Sequence, residues 1–292
     1  MARSLSAVHP EVMMLSLLLL LACQPDADTG EILAPPEGTL SLLTYNVAGL
    51  PEGISDSHPE VNQPQISPLL NAYPLVLVQE DFAYHDLLAE AVTLPHASAP
   101  GEAVDAPMHD GLSRFSETPF TDYTRVRWEV CSGVLEDGSD CLAEKGFSAA
   151  RHALAPGVRL VVVNLHADAG GSPEDDAARS VGFAQLAAWL EAEHGEEAWL
   201  VAGDTNLNRI SDPEDAQVSD AFVGATGLTD LCDAVGCEEP DHIDRILFRP
   251  GPGLCLEGER WGVAEEFVDA EGQPLSDHPA IRGALRWWTE GC

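Results

Sequence analysis

Residues Ala198–Arg209 read AWLVAGDTNLNR, an apolar run that turns directly into a polar cluster. A short apolar run with such a boundary predicts a strand that is buried on both faces, here over Ala198–Gly203. Five other runs predict strands that are buried or half-buried: Leu40–Val47, Leu75–Gln79, Val158–Leu165, His242–Phe248 and Ala280–Trp288. The sequence therefore predicts a core of six strands.

Helical spacing marks the segments between these strands. In Ser172–Glu193 the apolar residues recur at the period of a helix, and the triplet Ser-Pro-Glu at its start is a favourable helix beginning. Shorter helices are predicted over Gln63–Ala72 and Ala83–Ala91. Strands that alternate with helices, without an internal repeat, predict one continuous α/β domain.

The N-terminus has the pattern of an export signal. The run LSLLLLLAC, Leu15–Cys23, is too short to span a bilayer, and its end resembles a bacterial lipobox, in which the cysteine is acylated. We predict a lipoprotein signal peptide over residues 1–22, an acidic, proline-containing tether over 23–39 and a folded domain over 40–292. The predicted location is extracytoplasmic, with anchoring to the cell envelope through Cys23. An ordinary signal peptide followed by secretion is the alternative.

The charge of the chain limits its partners. Its 292 residues include 14 basic and 49 acidic ones, which gives a formal net charge of −35. Without a basic excess the chain is a poor match for the phosphates of extended nucleic acid, so a general DNA-packaging or RNA-coating role is excluded. The hydrophobic content of 45% is that of a folded protein rather than of an acidic disordered chain.

Six cysteines remain when Cys23 is set aside: Cys131, Cys141, Cys232, Cys237, Cys255 and Cys292. An even number in an exported chain predicts up to three disulfides. Pairing in sequence order would give the bridges 131–141, 232–237 and 255–292, although six cysteines allow 15 pairings. A structural zinc site is the alternative, but the chain contains no Cys-x-x-Cys pair.

Candidate catalytic side chains lie at or near the ends of the predicted strands. They are Asn46, Glu80, His166 with Asp168, Asp204 with Asn206, Asp244, and Asp277 with His278. In open α/β architectures strand ends converge on one rim, so residues that are far apart in sequence can meet around one metal and one substrate. The sequence therefore predicts a single site at one end of the sheets.

In their order along the chain, the motifs TYNV, LVQE, VNLH, GDTN, HIDR and SDH resemble those of the endonuclease/exonuclease/phosphatase superfamily. This superfamily has the DNase I-like fold and includes sphingomyelinases. The resemblance runs from about Leu40 to Arg286. It implies an α/β fold, a four-layer sandwich of two mixed β-sheets flanked by helices, with residues 40–292 as the catalytic domain.

The resemblance also implies a metal-dependent hydrolysis of a phosphate ester, in which a phosphate is neutralised and a water is positioned in line. The implied cofactor is Mg²⁺, as one or two ions. Its implied ligands, which offer the oxygen atoms that this ion prefers, are Asn46, Glu80 and Asp277.

Proton transfer is assigned to the remaining residues in the same way. His278 is the implied general base and Asp244 orients it, although family members differ and Asp204 could accept the proton instead. His166 would contact the phosphate and help to protonate the leaving oxygen. Asp204 and Asn206 would hold the water and the phosphate oxygens.

Two positions remain open. The carboxylate partner of His166 would be Asp110, Glu117 or Asp168, and spacing does not choose among them. Lys145, the only lysine of the chain, precedes Gly146 as in sphingomyelinase-like members of the superfamily. It would either contact substrate phosphate or be an exposed loop lysine.

For the substrate, the sequence favours a phosphodiesterase of the sphingomyelinase, or phospholipase C, type, because the opening TYNVAGLP, the GDTN form, the Lys-Gly pair and export all resemble that branch. The alternatives are an extracytoplasmic DNase I-like nuclease, a phosphomonoesterase, and a surface lipoprotein that binds without catalysis. Expected partners are sphingomyelin or another phospholipid and the membrane reached through Cys23. Extended nucleic-acid binding is disfavoured, and a monomer is expected. Trp287 and Trp288 could face a membrane or pack in the core.

Overall fold

The computed structural model describes residues 36–54, 57–133, 140–238 and 242–292. The predicted signal peptide, Cys23 and most of the predicted tether lie outside the described residues. The first strand begins at Glu37, so the last three residues assigned to the tether are part of a sheet. Within the described ranges, none of the helices has the length and apolar character needed to span a bilayer.

The described chain forms twelve strands and five helices. The strands are β1 Glu37–Asn46, β2 Leu75–Gln79, β3 His96–Ser98, β4 Ser113–Ser116, β5 Phe120–Arg127, β6 Gly146–Ala155, β7 Val158–His166, β8 Trp199–Asp204, β9 Thr229–Asp230, β10 Asp244–Arg249, β11 Cys255–Val263 and β12 Ile281–Trp288. The helices are α1 Pro59–Leu69, α2 His85–Ala89, α3 Pro173–His194, α4 Pro213–Thr226 and α5 Leu231–Val235. Short 3-10 segments cover Leu70–Ala72 and Asp140–Leu142.

The strands form two mixed sheets of six. Their spatial orders are β11-β12-β1-β2-β4-β3 and β5-β6-β7-β8-β10-β9. In the first sheet β1 and β2 are parallel, in the second β7 and β8 are parallel, and the other pairs are antiparallel. The predicted pair of mixed sheets is therefore confirmed.

Three apolar cores separate four layers. The first lies between the sheets, where Leu42 and Leu77 of one sheet pack with Leu160 and Leu200 of the other. The second lies on the outer face of the second sheet, which α3 and α4 cover. The third lies on the outer face of the first sheet, under α1. This is the four-layer sandwich that the resemblance implies.

All six predicted core strands occur, with ends that differ by at most three residues. The long predicted helix occurs as α3, and Ser172 forms a capping box at its start. The helix predicted over Ala83–Ala91 is limited to the five residues of α2. The helix predicted over Gln63–Ala72 begins four residues earlier, at Pro59, and ends as a 3-10 turn.

The sequence pattern did not predict six of the strands, β3, β4, β5, β6, β9 and β11, or the helices α4 and α5. Most of the missed strands are short or polar: β9 has two residues, and β6 carries Arg151 and His152. Such strands are stabilised by their neighbours in the sheet, which a local apolar pattern does not reveal.

A polar layer joins the two sheets directly below the strand ends. Gln79 Nε2 donates to Asn164 Oδ1 across the sandwich at 2.6 Å. Asn164 Nδ2 donates in turn to the carbonyl oxygens of Val78 and Ser113, at 2.9 and 3.0 Å. Buried polar groups that satisfy one another specify a single arrangement, so these bonds fix the relative position of the two sheets.

A buried arginine continues this layer. Arg114 on β4 donates to the carbonyl oxygen and hydroxyl of Ser148 and to the carbonyl oxygen of Val162. It also lies 3.2 Å from Nε2 of His152, which must therefore be unprotonated to accept from the guanidinium. Burial, together with the charge of Arg114, lowers the pKa of His152 to about 3.

Acid should therefore destabilise the fold through His152. The pKa is about 3 in the folded protein against an ordinary value of 6.5, so the unfolded chain takes up the proton first and stability is lost as the pH falls from 6.5 toward 3. At pH 5 the expected loss is about 2 kcal/mol. Urea unfolding at pH 7 and pH 5 measures this loss. His152→Gln can still accept from Arg114 but does not titrate, and an equal pH dependence in that variant would contradict the assignment.

Three disulfides join Cys131 to Cys141, Cys232 to Cys237 and Cys255 to Cys292, as pairing in sequence order predicts. Zinc binding by thiolates is wrong for these cysteines, because each sulfur is already bonded. Trp287 is buried against the backbone of Gly38 and belongs to the core, not to an exposed surface.

Candidate active site

Strand register places the predicted catalytic residues side by side. In the parallel pair β1 and β2, Asn46 lies opposite Gln79, the residue before Glu80. In the parallel pair β7 and β8, His166 lies opposite Asp204, and antiparallel β10 pairs Asp244 with the same Asp204. Strand ends from both sheets therefore meet at one end of the sandwich.

The Asn46 side chain joins the two sheets at this end. Its Nδ2 donates to Glu80 Oε1 at 3.2 Å and to Asp204 Oδ2 at 3.0 Å, and lies 3.4 Å from His278 Nε2. Its Oδ1, the atom that could bind a metal, accepts the backbone N–H of Ala48 at 3.0 Å. In this arrangement Asn46 orients the two carboxylates.

Left-handed backbone conformations help to shape the site. The angle φ is 56° at Glu80 and 49° at Asn206, in a region that residues other than glycine occupy rarely. The Asn206 backbone N–H donates to Asp204 Oδ1 at 3.0 Å, and its Nδ2 donates to the carbonyl of Ala167 at 3.1 Å. A Cβ on Gly49 would collide with the carbonyl oxygen of Glu80, so only glycine fits beside that turn.

His278 is held by a carboxylate. Its Nδ1 lies 2.8 Å from Asp244 Oδ2, and its Nε2 lies 3.8 Å from Asp204 Oδ2. The Ser276 hydroxyl accepts the backbone N–H of His278 at 3.2 Å and donates to the carbonyl of Asn46 at 2.8 Å, which ties the histidine loop to β1. A proton on Nδ1 is thus shared with Asp244, and Nε2 is directed toward the other site residues.

His166 is buried and faces two carboxylates. Its Nε2 lies 3.8 Å from Glu80 Oε1 and 3.5 Å from Asp204 Oδ2. Burial and the positive charges of Lys145 and His278 hold the pKa of His166 well below its ordinary value. The imidazole is therefore neutral at pH 7, with one nitrogen available to donate and one to accept.

None of the three proposed carboxylates pairs with His166, whose Nδ1 has no hydrogen-bond partner among the described residues. Asp110 instead forms an ion pair with an arginine of β5, and Asp168 accepts a backbone N–H of the β5–β6 loop. Glu117 follows β4 and so lies at the opposite end of the sandwich. Sequence spacing could not reveal which end each loop occupies.

Lys145 lies beside the site and is buried, so its interpretation as an exposed loop lysine is wrong. Its Nζ forms an ion pair with Asp140 and donates to the carbonyl of Ala167 at 3.3 Å. Its charge acts to lower the pKa of both Glu80 and Asp204. Asp140, which no sequence motif marked as a site residue, therefore holds the only lysine of the chain near the site.

The site contains several buried carboxylates close to one another. Burial raises the pKa of Glu80, and burial together with the charge of Asp244 raises that of Asp204 to about 6. Burial alone would lower the pKa of His278, but the hydrogen bond and charge of Asp244 and the charge of Asp204 raise it to about 10. The carboxylates thus favour a positive charge among them, whether a proton or a metal ion supplies it.

The donor set fits a divalent cation such as Mg²⁺. Asp204, Asp244 and His278 present ligand atoms that all lie within 4.8 Å of one another. Glu80 adds a carboxylate that shares the Asn46 amide with Asp204. Asp244 Oδ1 is buried and has no hydrogen-bond partner within the described part of the chain. Several carboxylate oxygens in one buried place are the ligands that Mg²⁺ prefers.

Asp277 lies outside this group. It is exposed, its Oδ1 accepts from the Ser276 hydroxyl at 3.3 Å, and no contact among the described residues joins it to Glu80. Its charge contributes to the raised pKa of His278. Because Asp244 already holds His278 Nδ1 through its Oδ2, the geometry leaves Glu80 and Asp204 as the carboxylates best placed to hold a metal ion.

The same architecture occurs in solved structures of the DNase I-like class. Beta toxin from Staphylococcus aureus is 16% identical, with a TM-score of 0.62 over 84% of this chain and 99% of its own. Sphingomyelinase C from Streptomyces griseocarneus is 21% identical, with a TM-score of 0.61 over 85% of this chain and 99% of its own. D. rerio TDP2 in complex with a single-strand DNA product is 17% identical, with a TM-score of 0.65 over 85% and 99%. The chain therefore has the DNase I-like fold that these structures share.

In sequence, the chain is similar to sphingomyelinases. Those of Mycobacterium tuberculosis H37Rv and Mycobacterium bovis are each 34% identical over 269 residues, which cover 84% of this chain and 52% of theirs. The chain thus spans about half the length of these curated relatives. No protein-family model matches the chain.

Proposed function

We propose that this protein is a Mg²⁺-dependent phosphodiesterase of the sphingomyelinase C type. The observation that carries the proposal is the His278–Asp244 pair, which faces the carboxylates of Glu80 and Asp204 and the imidazole of His166 at the strand ends. Hydrolysis of a phosphodiester needs charge neutralisation, a positioned water and two proton transfers, and this group offers a side chain for each. The likeness to sphingomyelinases supports a phospholipid substrate.

A metal ion beside Glu80 and Asp204 would offset part of the negative charge that raises the pKa of His278 in the metal-free protein, which would leave Nε2 unprotonated. In this proposal the proton of the attacking water then passes to Nε2 of His278, while Asp244 holds the proton on Nδ1. Asp204 lies 3.8 Å from the same Nε2 and is the alternative acceptor. His166 is neutral and donates from Nε2 to a phosphate oxygen or to the leaving oxygen. Asn206, fixed beside Asp204, would help to hold the water and the phosphate oxygens.

Glu80 and Asp204 would hold the Mg²⁺ ion, with Asn46 orienting both carboxylates. When bound, the ion supplies positive charge to the phosphate oxygens. Beta toxin from Staphylococcus aureus has been solved with bound magnesium ions, which supports this choice of metal. Lys145 adds a fixed positive charge near the same carboxylates.

The charge of the chain favours a compact phosphodiester over duplex DNA. A nuclease that acts along a duplex binds many phosphates with basic side chains, whereas this chain has 14 basic residues against 49 acidic ones. A substrate with one phosphate and a cationic headgroup needs no such basic groove. The acidic charge therefore favours the proposed function over the nuclease alternative, which shares the fold.

A substrate panel tests the proposal. The domain from Glu31 onward contains all three described cores and is suitable for the assay. With Mg²⁺ we expect it to cleave sphingomyelin faster than it nicks plasmid DNA at moderate salt, with a chromogenic phosphodiester as a soluble reference. EDTA should abolish turnover and Mg²⁺ should restore it. Full activity in EDTA, or efficient plasmid nicking without lipid hydrolysis, would overturn the proposal, and no turnover of any substrate would favour the binding-only alternative.

We also propose that the protein is an envelope lipoprotein. The three disulfides support an oxidising compartment outside the cytoplasm. Mass spectrometry of the mature protein is expected to find Cys23 as an acylated N-terminus, with more than one acyl chain for stable anchoring. An unmodified N-terminus at another position would instead indicate simple secretion.

A further inference from the structure

The folded domain begins at the end of the sandwich opposite the active site. β1 starts at Glu37 and ends at Asn46, a residue of the site, so the whole length of this strand separates the two. Its ten residues, at about 3.3 Å each, span about 30 Å. The chain that leads from Cys23 therefore joins the domain about 30 Å from the catalytic group.

The point of attachment is fixed in the fold. The carbonyl oxygen of Pro36 accepts from the Thr289 hydroxyl at 3.3 Å, and Glu37 pairs with Trp288 of β12 in the sheet. Pro36 also lines a cavity of about 390 Å³ together with the turns that precede β7 and β8 and the turn that follows β10. Each of these turns adjoins the end of its strand that carries no site residue. The attachment point thus belongs to the non-catalytic end.

The active site opens at the other end. A cavity of about 290 Å³ lined by Tyr45, Phe267 and His278 adjoins the catalytic group. A second cavity, of about 480 Å³, shares Ser276 and Asp277 with the first. Both are lined in part by the β11–β12 connection, which leads into β12 beside the end of β1. A substrate therefore approaches from the end that lies farthest from the attachment point.

The connection between Cys23 and the domain is short. Pro36 is the thirteenth residue after Cys23. Thirteen residues reach at most about 45 Å, even when the chain is fully extended. This upper limit follows from covalent geometry alone, whatever conformation the connecting residues adopt. The reach of the connection thus exceeds the length of β1 by only about 15 Å.

The route from the attachment point back to the catalytic end is longer than β1. This strand is the third of its sheet, with the second sheet on one face and α1 on the other. A connection that turned back would first cross the helix layer or the two strands at the nearer sheet edge, and either adds about 10 Å. The total of about 40 Å approaches full extension of thirteen residues. Such extension removes most of the conformational freedom of the connection, so this arrangement is unfavourable.

We propose that the enzyme acts on a lipid surface other than the membrane that holds Cys23. With Cys23 acylated, the short connection keeps the catalytic end off the anchoring membrane, while a second membrane or a lipid particle can approach that end freely. The inference rests on the proposed phosphodiesterase function and on the proposed acylation. A longer connection would reverse the preference, because tethering raises the effective concentration of an enzyme at its own membrane once the connection can span the distance.

The chain from Cys23 onward tests the proposal without cellular acylation. Its other six cysteines form disulfides, so Cys23 is the only free thiol and can be coupled to a maleimide phospholipid in vesicles. These vesicles contain sphingomyelin of one acyl chain length and are mixed, with Mg²⁺, with protein-free vesicles that contain sphingomyelin of another. Mass spectrometry of the ceramide products separates hydrolysis on the two membranes. We expect at least about tenfold more ceramide from the second membrane.

A longer connection is the critical variant. About thirty residues of Gly-Ser repeat, inserted between Gly30 and Glu31, make the connection long enough for the distance. This insertion should raise hydrolysis on the anchoring membrane at least about tenfold and leave hydrolysis on the second membrane within about twofold of the parent. The matched control carries the same repeat after Cys292, whose disulfide to Cys255 holds it at the same end of the domain. The control should change neither rate.

The outcomes separate this inference from the proposed function. Equal or faster hydrolysis on the anchoring membrane by the parent overturns the inference, and so does an insertion that leaves that rate unchanged. Mixed micelles of sphingomyelin and detergent, given to the uncoupled chain, test the function by itself. Turnover in micelles without turnover on the second membrane contradicts the inference alone, whereas no turnover in micelles removes the lipid substrate and the inference with it. A mature protein without acylated Cys23 would overturn the inference and leave the enzyme function intact.

Discussion

His278→Ala is expected to lower phosphodiester turnover about 10²–10⁴-fold, the usual effect of removing a general acid or base. The expectation rests on the position of Nε2, which lies 3.8 Å from Asp204 and 3.4 Å from Asn46 Nδ2 while Asp244 holds Nδ1. Alanine cannot accept a proton at that position, so the attacking water loses its general base. Substrate affinity should change less than turnover, because Glu80 and His166, the residues proposed to contact the metal and the phosphate, are unchanged.

Two further variants separate this role from a structural one. Asp244→Asn keeps an acceptor for Nδ1 but removes the charge that raises the pKa of His278, so both turnover and that pKa should fall. A histidine NMR titration reads the pKa independently of activity. His96→Ala, in β3 and away from the site, is the control and should leave turnover unchanged. Wild-type turnover in His278→Ala would remove this residue from the mechanism.

The sequence predicted the parts of the site that follow buried strands. Asn46, Glu80, His166 and Asp204 stand at or just after the ends of long apolar runs, and such runs are readable from sequence because burial on both faces demands continuous apolar residues. Parallel pairing of these runs then brings their ends together. The position of these residues at strand ends was therefore enough to predict that most of the site residues lie close together.

The parts that the sequence did not reveal depend on loops and on long-range contacts. Asp140 holds Lys145, and Ser276 ties the His278 loop to β1, but neither residue stands in an apolar run or at a fixed spacing from its partner. The Asp277 carboxylate adjoins His278 in sequence and yet is exposed, because successive residues of a loop point in different directions. Only the folded backbone shows which of these side chains enters the site.

Glu80→Gln is expected to raise the Mg²⁺ concentration for half-maximal activity at least about tenfold, and also to lower the maximal rate. The amide keeps the size of the side chain, and its oxygen can still accept from Asn46 Nδ2, which lies 3.2 Å from the carboxylate oxygen in the native site. What it loses is the negative charge that a cation needs. Mg²⁺ titrations of turnover measure the change.

In contrast to its activity, the thermal stability of Glu80→Gln without Mg²⁺ should be unchanged or increased. Burial raises the pKa of Glu80, which means that its ionised form is destabilised in the metal-free protein. In EDTA, Glu80→Gln should therefore unfold at the same temperature as the parent or a higher one, while Mg²⁺ should raise the melting temperature of the parent but not that of Glu80→Gln. Asp277→Asn is the matched control, because the sequence nominates both carboxylates as ligands but only Glu80 joins the buried group. If Asp277→Asn abolished the Mg²⁺-dependent stabilisation and Glu80→Gln retained it, the ligand assignment drawn from the geometry would be wrong and the metal would lie nearer the exposed side of His278.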